Sequence, residues 1–104
     1  MGFKEELRWL IECMTEKAIT HDFRELDKNW LGDGRITLEE ALAVVSSVRG
    51  NQAEMRPHHF RPSIEVWILK TPSKSQALTW YIKFHRTPEG VKFISFHPSN
   101  EVEQ

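Results

Sequence analysis

The side chains best equipped for chemistry gather late in the chain, in "LTWYIKFHRTPEGVKFISFH" (78–97). Tyr81, Lys83 and His85 recur at every second position, the spacing that sends side chains to one face of a β-strand. Ser95 and His97 repeat that spacing in the next run. Pro88-Glu89-Gly90 suits the turn between the runs, with Gly in a left-handed position. If the loop is odd in length, paired residue numbers sum to an even constant, which predicts Ile94 and Phe96 on the face of Ile82 and Trp80. The opposite face then collects Tyr81, Lys83, His85, Ser95 and His97, with Phe93 among them. His58, His59 and Arg61, just upstream in "MRPHHFRP" (55–62), are expected to border that surface.

This set fits RNA cleavage without a metal or other cofactor. A base takes the proton from the 2′-OH, an acid protonates the leaving 5′-oxygen, and cations stabilise the charged phosphorane. Histidine suits both proton roles because its ordinary pKa lies near neutrality. His97 or His85 is the expected acid or base, Tyr81 adds a phenol, and Lys83 and Arg61 supply fixed charge. Arg61, His59, His58, Arg86 and Lys92 are the expected RNA contacts. The competing reading is the ordinary polar outer face of an antiparallel sheet.

Two kinds of element must position these residues. Before Gly50 the apolar residues follow helical periodicity; after it they alternate. Phe3, Leu7, Leu10, Ile11, Met14 and Ala18 make one helical stripe. A shorter helix is expected over 22–30, with Phe23, Leu26 and Trp30 on one side. A third carries Leu38, Ala41, Leu42, Val45 and Val48, with Gly50 near its C′ position. Strands are predicted over 63–70, 78–85 and 91–97, and "MRPHHFR" is a candidate edge strand. The expected fold is α+β: two or three N-terminal helices on one face of a three- to four-stranded antiparallel sheet. One domain is expected over 1–104, with a helical part at 1–50, the sheet at 55–98 and a tail at 99–104.

Composition narrows the classes. At 39% hydrophobic and 28% charged residues the chain reads as globular, and no apolar run is long enough for a membrane span. The start shows no secretory pattern, and the single Cys13 points to a reducing compartment, so a cytoplasmic location is expected. The net charge of −1 argues against a generic polyanion binder, but the charge is unevenly spread. Residues 1–48 sum to −4 and residues 49–98 to +5, as a nucleic-acid-facing second half would show.

Other constellations are weaker. "DKNWLGDGRITLEE" resembles an EF-hand loop, but Leu31 stands where an oxygen ligand is needed and Asp27 is out of register. Thr37-Leu38-Glu39-Glu40 reads better as a capping box opening the third helix. The histidines lack the spacing of a zinc site, and no metal site is expected. No phosphate-binding glycine loop or serine-nucleophile elbow is present. Cys13 lies in a helical pattern without a nearby His and reads as a packed thiol. Trp67 is a candidate exposed stacking residue unless its strand is covered on both sides.

The order of elements, with "ITHDF" after the first helix, "RPHHFRP" in the middle and "WYIKFHRTPEGVKFISFHPS" at the end, resembles the small bacterial ribonuclease toxins of the MqsR/RelE-like group. That group shares a fold with barnase-like and colicin-type RNases. Likeness in element order covers most of the chain, and likeness in wording is confined to the closing hairpin. The resemblance implies cleavage of mRNA or tRNA and neutralisation by a cognate antitoxin or immunity protein. It maps Tyr81 and Lys83 onto the group's Y-x-K strand and His97 onto a position often held by Lys. It places His21 where related sequences carry a His at the start of the second helix. The alternative is a non-catalytic protein-interaction module, an antitoxin, immunity or phage inhibitor protein, whose acidic helices dock a basic partner.

Overall fold

The computed structural model describes residues 2–24, 26–58, 60–72 and 79–99. The chain opens with α1 (Phe3–Thr15), whose apolar stripe buries Leu10, Cys13 and Met14. The next segment departs from expectation. Ile19–His21 forms a strand, β1, which runs parallel to the last strand instead of starting a helix. Two β-branched residues favour it, and Gly90 makes room for it. The Val91 N–H donates to the Ala18 carbonyl at 3.1 Å. A side chain at Gly90, where φ is +149°, would lie 2.0 Å from that oxygen.

The predicted helix over 22–30 is replaced by a 3₁₀ turn at Leu26–Lys28 and a short helix, α2 (Trp30–Asp33). Asn29 caps α2, and Gly34, at φ 81°, ends it in the left-handed region. The capping box then forms as the spacing predicts. The Glu40 N–H donates to Thr37 Oγ1 at 3.1 Å, and the Thr37 N–H donates to Glu40 Oε1 at 2.8 Å. The apparent calcium loop is thus the joint between α2 and α3 (Leu38–Ser46). Gly50 is not the helix end: α3 stops earlier, and Gly50 begins a 3₁₀ turn that leads into the sheet.

The strands are β2 (Ala53–Pro57), β3 (Glu65–Pro72), β4 (Thr79–Thr87) and β5 (Gly90–Ser99). The sheet order is β1-β5-β4-β3-β2. The fold is α+β, but the sheet is five-stranded and mixed, where three or four antiparallel strands were expected. The parallel strand is the addition, and the edge strand forms over "AEMRP", so that only Met55, Arg56 and Pro57 of the anticipated "MRPHHFR" belong to it. One face packs against the helices through Trp67, Leu69, Trp80, Ile82, Phe84, Val91, Phe93 and Phe96. Trp67 is therefore not an exposed platform. It is buried with its ring 6.2 Å from Phe3 of α1. Among the described residues no helix is long and apolar enough to cross a membrane.

One irregularity reassigns two residues. Thr87 pairs with Gly90, so the β4–β5 loop is the even pair Pro88-Glu89. The register then shifts between Lys83 and Phe84, which face Ser95 and Phe93 respectively. Ile94 is the extra residue of a β-bulge. The bulge sends Phe93 into the core and Ile94 to the open face, the reverse of the simple alternation, while Ser95 and His97 stay where expected.

Candidate functional site

The face of the sheet away from the helices carries the side chains singled out above. Successive pairings set them in rows. Thr20, Lys92, His85, Val66 and Arg56 cross the sheet in one row. Ser95, Lys83, Ile68 and Glu54 make the next, and His97, Tyr81 and Lys70 the third. Between them lies a cleft of about 540 Å³. Val66, Ile68, Tyr81, Lys83 and Ile94 line it from the central strands, Arg56 and Pro57 from the β2 edge, and His58 and Phe60 from the loop that follows. Arg24 reaches in from the segment after β1.

The histidines are not equivalent. The Nδ1–H of His85 donates to the Arg86 carbonyl at 2.9 Å, so the neutral ring keeps Nε2 as its proton acceptor. His97 donates in the same way to the Pro98 carbonyl at 2.9 Å. His58 has the opposite arrangement. Its Nδ1 accepts backbone N–H bonds from Phe60 at 3.1 Å and Arg61 at 3.2 Å, which leaves the proton on Nε2. Burial pushes His58 below the ordinary imidazole pKa, and the positive potential of His85, Arg61, Lys83 and Arg24 adds to the effect. The His58 and His85 rings meet edge to face with centroids 5.7 Å apart. His97 lies instead beside Tyr81, at 5.4 Å. Four residues of strand, about 13 Å, separate Tyr81 from His85, so His85 and His97 cannot act as partners on one phosphate.

The charges also differ in their ties. Arg24 holds Asp22 through both carboxylate oxygens, and that hydrogen bonding keeps the Asp22 carboxyl at about 2. Arg56 pairs with Glu54 at 2.9 Å. Lys83, half-buried among apolar neighbours, forms no ion pair among the described residues. Among the described residues that line the cleft, none is acidic.

The structure thus gathers Tyr81, Lys83, His85, Ser95, His97, Lys92 and His58 on one face, with Arg61 in the loop beside His58. His59 lies outside the described residues. Arg86 does not join them. It points to the helices, where its Nε donates to Glu6 at 2.8 Å and its guanidinium lies 4.5 Å from the Trp9 ring centre. His21 is also on the covered side, stacked on Phe93 at 5.9 Å with Nδ1 facing the Asn29 amide. Burial lowers its pKa, which fits a neutral packing residue. Sequence reasoning missed Arg24, Phe60 and Ile94. Only Phe60, interleaved with basic residues in "RPHHFR", carried a readable signal. Among the described residues no three His, Cys, Asp or Glu side chains gather in a way that could hold a metal ion. The chain matches no family model, no curated protein and no solved structure.

Proposed function

We propose that the protein binds RNA along the open face of its sheet and cleaves it with its own side chains, as a toxin-like endoribonuclease acting in the cytoplasm. The carrying observation is Lys83, a half-buried cation without a carboxylate partner among the described residues, standing between Tyr81 and His85 on one strand. In-line transfer puts nucleophile and leaving group on opposite sides of phosphorus. His85 Nε2 accepts the 2′-OH proton as O2′ bonds to phosphorus. The bond from phosphorus to O5′ breaks and O5′ takes its proton from solvent water, while Tyr81, on the far side of Lys83, lines the cleft. The products are a 2′,3′-cyclic phosphate and a 5′-OH. Lys83 neutralises the phosphorane, while Arg24 and Arg61 raise the local positive potential. His97 packs on Tyr81 and orients it. A cognate antitoxin or immunity protein would neutralise the activity by covering this face.

Purified protein should cut RNA, free or ribosome-bound, in the presence of a chelator and leave cyclic phosphate ends. His85→Gln should lose about 10²–10⁴-fold in rate, and Lys83→Met about 10²–10³-fold. Intact RNA after incubation with wild-type protein sinks the reading. A second reading, a non-catalytic interaction module, is favoured by the β2 edge, which ends the sheet and exposes Met55. Expression in cells separates the two, because an active ribonuclease arrests growth and an interaction module does not.

A further inference from the structure

We propose that Phe60 is a stacking platform for an unpaired base, so that the cleft takes single-stranded and not duplex RNA; this rests on the RNA reading above. Phe60 is 78% exposed, yet it lines the cleft. Its loop is built to hold it there. The side chain of His58 accepts the Phe60 and Arg61 N–H groups, the Ile64 N–H donates to the Arg61 carbonyl at 2.9 Å, and the His58 N–H donates to the Ile64 carbonyl at 2.8 Å. Pro57 and Pro62 restrict the backbone on either side. The ring, its centroid 6.2 Å from that of His58, is thus presented at the surface by these hydrogen bonds.

The neighbours identify the occupant. Arg56 and Lys83 line the same cleft as Phe60. An apolar peptide would use the ring and leave Lys83 desolvated without a partner. An acidic peptide would use the cations and leave the ring in water. A nucleotide satisfies both, because it carries a phosphate and a flat π-surface one sugar apart. In a duplex the base faces are hidden by stacking, whereas a single strand can turn one outward.

The test uses a short 2′-O-methyl RNA, which lacks the nucleophile and cannot be cut, with binding read by fluorescence anisotropy. Wild type and Phe60→Trp should bind the single strand alike, and Phe60→Ala should bind it about tenfold more weakly. Binding to the same strand annealed to its complement should be weaker and insensitive to Phe60→Ala. Removing one base should reproduce the loss in wild type, and Phe60→Ala should add nothing further on that abasic strand. Unchanged binding by Phe60→Ala, or equal losses on single strand and duplex, overturns the platform. So does a Phe60→Ala protein that keeps RNA binding but loses a protein partner. The two readings fail separately. Phe60-dependent binding without cleavage of unmodified RNA removes the catalysis alone, and normal cleavage with Phe60-independent binding removes the platform alone.

Discussion

Arg86 and Lys83 lie close together on β4 and have opposite surroundings. Arg86 faces the helices, where both its hydrogen-bonding edge and its flat face are engaged, by Glu6 at 2.8 Å and by Trp9 at 4.5 Å. Its pKa is raised, chiefly by the Glu6 hydrogen bond. Lys83 faces the open side, among Tyr81, Ile68 and Ile94, with no carboxylate bound to it among the described residues. One cation ties α1 to the sheet, and the other faces the open side with no ion pair among the described residues. The difference shows that the positive excess of residues 49–98 is not one surface. The sheet divides it into structural charge on the covered face and available charge on the open face.

The largest effects should separate the faces by stability. Phe84→Ala, on the covered face and 1% exposed, should cost about 3–5 kcal/mol in urea unfolding. Lys83→Met, its neighbour on the open face, should change stability by no more than about 0.5 kcal/mol while impairing cleavage. Equal destabilisation by the two would erase the division. Next in size is Arg86→Ala, which strands the buried Glu6 carboxylate. Because Arg86 is 39% exposed and partly screened, a loss of roughly 2–3 kcal/mol is expected, at the low end for a broken buried pair. Cleavage per folded molecule should be unaffected, and a selective loss of activity in Arg86→Ala would return that residue to the RNA surface.

Periodicity revealed the main elements because they bury one stripe or one face. The capping box at Thr37 and Glu40 was legible for a local reason, since both its hydrogen bonds close within four residues. What stayed hidden depends on partners distant in sequence. Ile19–His21 is a strand because β5 lies beside it and Gly90 admits the Ala18 carbonyl, and two β-branched residues in "ITH" are too short a pattern to announce that. The face of Arg86 was readable from alternation with Phe84, but Glu6, its partner on α1, was not. The bulge at Ile94 escaped notice for a different reason. A single extra residue reverses alternation on one side only, so Ser95 and His97 were placed correctly and Phe93 was not. Arg24 reaches the cleft from the segment after β1, so its role followed from a topology that sequence did not reveal.

The smallest expected effect probes the comparison most directly, through the charge state of His58. Burial disfavours the charged ring and the cations around it oppose the added charge, and protonation would also remove the Nδ1 acceptor of two backbone N–H bonds. The folded pKa therefore lies below the unfolded value of about 6.5. As pH falls, the unfolded chain takes up the proton before the folded one does. The stabilising contribution is complete above the unfolded value and is lost as pH drops through the folded value. Proton NMR of the His58 ring should show a midpoint below that of a free imidazole. Lys83→Met should move the midpoint up, because it removes one of the positive neighbours that depress it. Arg86→Ala should leave it in place, since that charge sits across the sheet and is neutralised by Glu6. A midpoint that answers equally to both substitutions would mean that the sheet does not insulate its two faces. An ordinary midpoint insensitive to Lys83 would mean that the cleft lacks the positive potential on which the proposed RNA binding depends.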